Sequence, residues 1–197
     1  NSFIKNLEIK NINYDTINNN DLKLISDTKN SQGVIAEVDI SNYLHPLPQK
    51  IDDNLVIIDG ISDPGNLGTI FRTCAWYGIN TIILTNTTTD PFNFKCSRSG
   101  MGAHFYFNQI LSDSDKNITN FLINNKYNVL CADLKGTELS KIKLNNKWGI
   151  IFGSEAHGIS TAFSQFDKVT IKGSESIESL NVAVASGIIL QHLINNY

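Results

Sequence analysis

An α/β domain built on a mostly parallel sheet is the fold class this sequence predicts, and three observations predict it. From Leu55 onward, apolar runs of strand length alternate with segments of helical spacing, the rhythm of βα units. Glycines and small polar residues gather where three of those runs end: Asp59-Gly-Ile-Ser-Asp-Pro-Gly-Asn-Leu-Gly68, Gly153-Ser-Glu-Ala-His-Gly158 and Ser176-Ile-Glu-Ser-Leu-Asn-Val182. A length of 197 residues with 41% hydrophobic content suffices for one compact domain with a short appendage.

Residues 1–30, rich in Asn and Lys, are expected to hold a short strand over 3–9 and a helix over 21–26. Gln32-Gly-Val-Ile-Ala-Glu-Val38 reads as extended. The prolines of Tyr43-Leu-His-Pro-Leu-Pro48 mark a linker, so the expected domains are 1–45 and 46–197. Residues 55–59 form a buried-strand run. Leu67, Ile70, Phe71 and Cys74 fall at helical spacing over 66–77, and Gly78 suits the stop. Strands follow over 81–85, 127–132, 148–152 and 169–171, with a further extended run over 104–110. Helices are expected over 94–100, 112–125, 160–165 and 179–194, the second opened by Ser and Asp caps.

Composition excludes several classes. No apolar run is long enough to span a bilayer. Cys74, Cys96 and Cys131 are odd in number, far apart and without a CxxC pair, which argues against a disulfide framework or zinc site and for a reducing cytoplasm. The first residue is Asn and no signal-peptide pattern follows, so the expectation is a chain whose start is missing. A net charge of −3 argues mildly against nucleic acid, although the sign of a local groove matters more than the sum.

The three segments carry the chemistry. In Ser62-Asp-Pro-Gly-Asn-Leu-Gly68, Asp63 and Asn66 suit a helix cap, Pro64 suits an early helical position, and the glycines permit close approach. Free N–H groups at such a mouth favour a polar or anionic ligand. The segment is neither a Walker loop nor GxGxxG, which disfavours a dinucleotide-dependent oxidoreductase. Only Arg72 and Arg98 are arginine among 16 Lys plus Arg, so each marks a place where a planar, bidentate fork is wanted over an ammonium. Gly153 and Gly158 bracket a tight loop holding Glu155 and His157, and nothing positions a partner that would make the histidine a base. Ser179 and Asn181 can cap the last helix or bond a ligand.

In this order and spacing, Asp63-Pro-Gly-Asn-Leu-Gly with Arg72, Ile151-Phe-Gly-Ser-Glu-Ala-His-Gly158 and Ser179-Leu-Asn-Val182 resemble the three motifs of the SpoU-like, TrmH-type branch of the SPOUT RNA methyltransferases, over residues 54–195. Residues 32–38 are similar to the lead-in of members carrying an N-terminal L30e-like substrate-binding domain, of which only the tail would remain here. The resemblance implies an α/β sheet with a C-terminal deep trefoil knot, which no sequence rule would suggest. It implies a homodimer that uses S-adenosylmethionine to methylate a ribose 2′-OH of RNA, large-subunit rRNA first, with a tRNA enzyme or a non-catalytic RNA-binding relative as alternatives. Carried over, Arg72, Asn66, Glu155, Ser179 and Asn181 are the catalytic set. Leu134, Gly153, Ser154, Gly158, Ile171 and Leu180 line the cofactor, and Arg72, Lys95 and Arg98 face RNA. No metal and no membrane are implied. An Arg pKa above ~12 makes a poor base, so the expected role of Arg72 is to fix the target phosphate and stabilise developing alkoxide charge.

Overall fold

The computed structural model describes residues 2–26, 31–144, 147–174 and 176–197. The chain forms two units, 1–39 and 40–197. In the first, α1 spans Ser2–Ile9 and α2 spans Asn19–Ile25, and neither helix buries a residue. The strand expected over 3–9 is thus a helix. An extended segment needs a neighbouring edge to satisfy its N–H and C=O groups, whereas a helix satisfies them internally. The helix expected over 21–26 starts two residues earlier, because Asn18 accepts the N–H groups of Asn20 at 2.8 Å and Asp21 at 3.0 Å. Residues 32–38 enter no strand.

The second unit holds a seven-stranded sheet. Its strands are β1 (Leu44–His45), β2 (Leu55–Asp59), β3 (Thr81–Thr85), β4 (Gln109–Asp113), β5 (Asn128–Glu138), β6 (Trp148–Gly153) and β7 (Asp167–Thr170). They lie in the order β1-β4-β3-β2-β6-β5-β7, and every pairing is parallel. Several differences from expectation appear: β5 runs six residues past 132, β7 starts two residues before 169, and the helix expected over 160–165 is a 3-10 turn, Thr161–Phe163. The proline-bearing segment at 43–48 supplies β1, an outer strand. Residues 104–110 divide into a 3-10 turn, Ala103–Tyr106, and the start of β4. Ser112 and Asp113 belong to β4, so the next helix begins only after Ser114, whose hydroxyl caps it.

Helices cover both faces: α3 (Pro64–Trp76), α4 (Phe94–Gly100), α5 (Asp115–Asn124) and α6 (Val182–Asn196). Every residue of β2 and β3 is buried, as expected of central parallel strands covered on both sides. Alternate residues serve opposite faces. Val56, Ile58, Ile82, Leu84, Ile150 and Phe152 pack with Phe71 of α3 and Leu190 of α6. Leu55, Ile57, Ile83 and Ile151 pack with Ile118 and Leu122 of α5 and with Phe163. Each such large side chain contributes about 1.5–3 kcal/mol by burial.

Because all strands run the same way, their carboxyl ends share one edge. The chain leaves β2 outward through β3 and β4, then returns on the other side of β2 through β5 and β6. The switch falls between β2 and β6, which pair from Leu55↔Gly149 to Asp59↔Gly153. Ligands of open α/β sheets bind beyond the carboxyl ends of strands at such a point. No helix among the described residues is long and apolar enough to cross a membrane. All three cysteines are buried and free, and burial pushes the Cys96 and Cys131 thiols up to about 12.

Candidate active site

The loop after β2 opens α3. Asp63 caps it by accepting the Asn66 N–H at 2.8 Å, with Pro64 at the first turn. Lys95, from the first turn of α4, reaches the other Asp63 oxygen at 2.5 Å. That ammonium is the chief reason the Asp63 carboxyl lies below its ordinary range. The two helices touch at Gly68, where a Cβ would stand 2.1 Å from Ser99 Oγ and 2.2 Å from the Cys96 carbonyl oxygen.

The loop after β6 is a closed hairpin. The Ser154 N–H donates to Gly158 O at 3.1 Å, and the Gly158 N–H donates to Ser154 O at 2.8 Å. Gly158 has a φ of +70°, and a Cβ on Gly153 would lie 2.5 Å from Gly158 O. Both glycines are therefore demanded by the backbone. The far end of the loop is fastened by Asp59, the last residue of β2, whose carboxylate accepts the Ser160 N–H at 2.6 Å. Asp59 is buried. Desolvation raises its pKa, against the opposing pull of that N–H.

The third segment meets the first two. Asn181, rather than Ser179, caps α6, accepting the N–H of Ala183 at 2.9 Å and of Val184 at 3.3 Å. Its amide nitrogen donates to Asn66 Oδ1 at 3.1 Å. The Asn66 amide donates in turn to the Glu155 carboxylate. One hydrogen-bonded chain, Asn181 to Asn66 to Glu155, thus joins residues 115 and 89 positions apart. It lies across the switch point and fixes the amide orientations, since each Asn oxygen accepts while its nitrogen donates.

The other sequence-derived candidates fall around this chain. Arg72 is exposed on α3, and among the described residues its guanidinium has no hydrogen-bond or ion-pair partner. Ser179 is exposed before the cap. Leu134 is exposed on the stretch of β5 between its two pairings with β7, Ala132↔Val169 and Thr137↔Val169. Ile171 packs against the core directly after β7, and Leu180 is exposed beside Asn181. Ile171 also lines a depression of about 230 Å³ with Glu138, Leu139 and His192. Arg98 lies over the Phe94 ring at 5.6 Å. His157 is exposed in the hairpin turn. The sequence reading gave no role to Asp59. A carboxylate closing an all-apolar strand is the signal for it, because a buried acid demands a partner.

A parallel sheet whose switch point is spanned by motif polar residues, beside tight glycine corners, is the arrangement in which α/β enzymes bind nucleotides and cofactors. The SpoU rRNA Methylase family matches residues 53–191, and this chain belongs to that family. Residues 1–44 match the family described as RNA 2'-O ribose methyltransferase substrate binding. The chain is 28% identical to an uncharacterized tRNA/rRNA methyltransferase of Borreliella burgdorferi, covering 92% of this chain and 86% of that one. It is 30% identical to the 23S rRNA (guanosine(2553)-2'-O)-methyltransferase RlmP of Bacillus subtilis, over 71% of this chain and 57% of that one. The AdoMet-bound rRNA methyltransferase of Sinorhizobium meliloti superposes with a TM-score of 0.68 at 29% identity, over 75% of this chain and 57% of that one.

Proposed function

We propose that this chain transfers a methyl group from S-adenosylmethionine to a ribose 2′-hydroxyl of structured RNA, large-subunit rRNA being the favoured substrate. The observation that carries the reading is the Asn181–Asn66–Glu155 chain, which draws three distant motifs into one site at the switch point. The residues fit the cofactor. The tight turn between Gly153 and Gly158, closed by the Gly153 approach to the Gly158 backbone and by the left-handed φ of Gly158, carries bare backbone at both ends where an adenine and ribose could lie close. Leu134 and Leu180 offer exposed apolar surface for an adenine to cover, and Ile171 adds a half-buried wall. Gly153, Ser154, Gly158, Leu134, Ile171 and Leu180 would hold the cofactor, which supplies the methyl group together with its leaving group.

The protein's part is alignment and charge. Arg72, free of any carboxylate among the described residues, is available to grip the phosphate beside the target ribose and to stabilise negative charge growing on the 2′-oxygen. Asn66 and Asn181 hold the mouth of α3 against the start of α6, and Glu155 accepts the chain's last proton donor. Ser179, exposed two residues before Asn181, would offer its hydroxyl to the ribose. Lys95 and Arg98 extend positive charge along α4 for the RNA backbone. A 2′-hydroxyl target suits an enzyme that must tell RNA from DNA.

Residues 1–45 act as the tail of a substrate-binding domain and 46–197 as the catalytic domain. The close passage of Gly136 against the backbone of Lys168 and Val169, 2.5 Å for a Cβ, supports a chain threaded tightly enough for a trefoil knot. Exposed Trp76, Val184 and Ile188 support a homodimer. They flank the α3–α6 contact, where a Cβ on Gly187 would lie 4.0 Å from Thr73. The free buried thiols agree with a cytoplasmic setting. The test is a labelled-methyl assay on rRNA and tRNA, with the modified nucleotide mapped. Label entering base positions only, or no label in any RNA despite bound S-adenosylmethionine, would overturn the reading.

A further inference from the structure

The exposed surface around Arg98 carries aromatic rings to which this mechanism gives no role. On α4, Phe94 and Arg98 fall at i and i+4 on one helical face, and Met101 is the left-handed residue that ends the helix. Phe94 and Met101 are 44% and 72% exposed. The chain then turns through two left-handed residues, Met101 (φ +50°) and Gly102 (φ +81°), and presents Phe105 and Tyr106 at 61% and 75% exposure. Phe105 has support beneath it. Tyr43 meets Phe105 edge-on at 5.9 Å and Phe92 at 6.3 Å. Arg98 is stacked against Phe94 and has no carboxylate partner among the described residues. The stripe begins one residue from Lys95, whose ammonium grips the Asp63 cap of α3. It therefore runs outward from the mouth of the candidate site.

Exposed aromatic rings are costly to leave in water, and a bare apolar face suits a protein partner as well as any other. The charge decides between them. An unpaired guanidinium stacked on an exposed ring, with two more exposed rings on the turn after its helix, matches a polyanion with flat apolar faces, which describes the unpaired stretches of RNA. Duplex RNA hides those faces inside its stack.

We infer that Phe94, with Arg98 stacked on it, and Phe105 and Tyr106 on the turn that follows form a stacking platform for unpaired bases next to the target nucleotide, so that the substrate is a loop, bulge or single-stranded segment. The inference deepens the methyltransferase reading and rests on it. Each base stacked on a ring is worth about five- to a hundredfold in affinity.

The test uses the full chain and a short fluorescein-labelled oligouridylate, followed by anisotropy, with an RNA hairpin stem as the duplex control. Tyr106→Ala should weaken oligouridylate binding at least about fivefold, Phe94→Ala similarly, and Tyr106→Trp should restore it with quenching of the new indole on binding. Stem binding should change less than twofold. Phe105→Ala also removes a Tyr43 contact, so its effect mixes packing with stacking. Unchanged oligouridylate affinity in both alanine variants, equal losses for stem and single strand, or burial of the stripe in a second copy of this chain would each overturn the platform. S-adenosylmethionine binding, measured on the same samples, separates the two failures: its absence in the parent protein defeats the enzyme reading instead.

Discussion

Arg72 and Asp59 show how differently two charged residues can serve one edge of a sheet. Arg72 is exposed and makes no polar contact among the described residues, so its removal should leave folding almost untouched, within about 0.5 kcal/mol. Arg72→Ala is expected to lower kcat by about 10²–10³ while S-adenosylmethionine affinity holds, measured by single-turnover methyl transfer and calorimetry. Arg72→Lys should recover only part of the loss, because an ammonium lacks the planar fork. Asp59 is buried, and its folded pKa lies above the ordinary 3.8. The sign follows: below the unfolded value both states are protonated and the buried acid carries no penalty. The penalty grows as pH rises through the window above 3.8 and is complete above the folded pKa. Asp59→Asn retains an acceptor for the Ser160 N–H but removes the charge. Its stability relative to the parent should therefore climb between pH 3.5 and pH 7, read from urea midpoints. A flat difference across that range would show that Asp59 is better solvated than its burial implies.

At the scale of elements, the packing of α3 on α4 sets where the positive charge of Lys95 meets the α3 cap. A methyl at Gly68 would overlap both Ser99 Oγ and a backbone carbonyl, and the carbonyl cannot swing aside as a side chain can. Gly68→Ala should cost about 1–3 kcal/mol or more and separate the helices, so that Asp63 loses Lys95 and its pKa returns toward the ordinary range. Carboxylate titration by NMR would read the second effect directly; an unshifted Asp63 would mean the helices stay together. The same contact marks the limit of what was legible. Alternation of apolar runs gave β2, β3 and β6 within a residue, since buried parallel strands leave a continuous apolar signature. It missed the helix at Ser2–Ile9, where Phe3, Ile4 and Leu7 fall at helical spacing but the run is short and buries no residue. It gave the last helix the wrong first residue, because Ser179 and Asn181 are both good caps and only the Asn66 partner selects Asn181. The chain Asn181–Asn66–Glu155 could be guessed as three motifs but not as bonds. Contacts spanning 89 and 115 residues depend on the strand order, which local pattern does not encode.

For the molecule as a whole, the question is which unit owns which task. Both core clusters are built entirely from residues of the second unit, beginning at Ile51. The helices Ser2–Ile9 and Asn19–Ile25 bury nothing. Deleting residues 1–39 should accordingly leave the melting temperature of the remaining chain within a few degrees and preserve its response to S-adenosylmethionine. A ligand that binds only the folded state adds about 2.7 kcal/mol at roughly 100 times its Kd. In a chain of this size that corresponds to a rise in Tm of about 5–10 °C. If the first unit contributes to RNA capture, its loss should weaken RNA binding about tenfold or more, since two linked contacts gain from effective concentration. Methyl transfer at saturating RNA should stay near the parent rate, because every candidate catalytic residue lies beyond position 65. Thermal shift, RNA anisotropy and saturating-substrate kinetics on the same deletion separate these effects. Loss of the S-adenosylmethionine response would place residues 1–39 in the cofactor's support, and an unchanged RNA affinity would remove them from substrate capture.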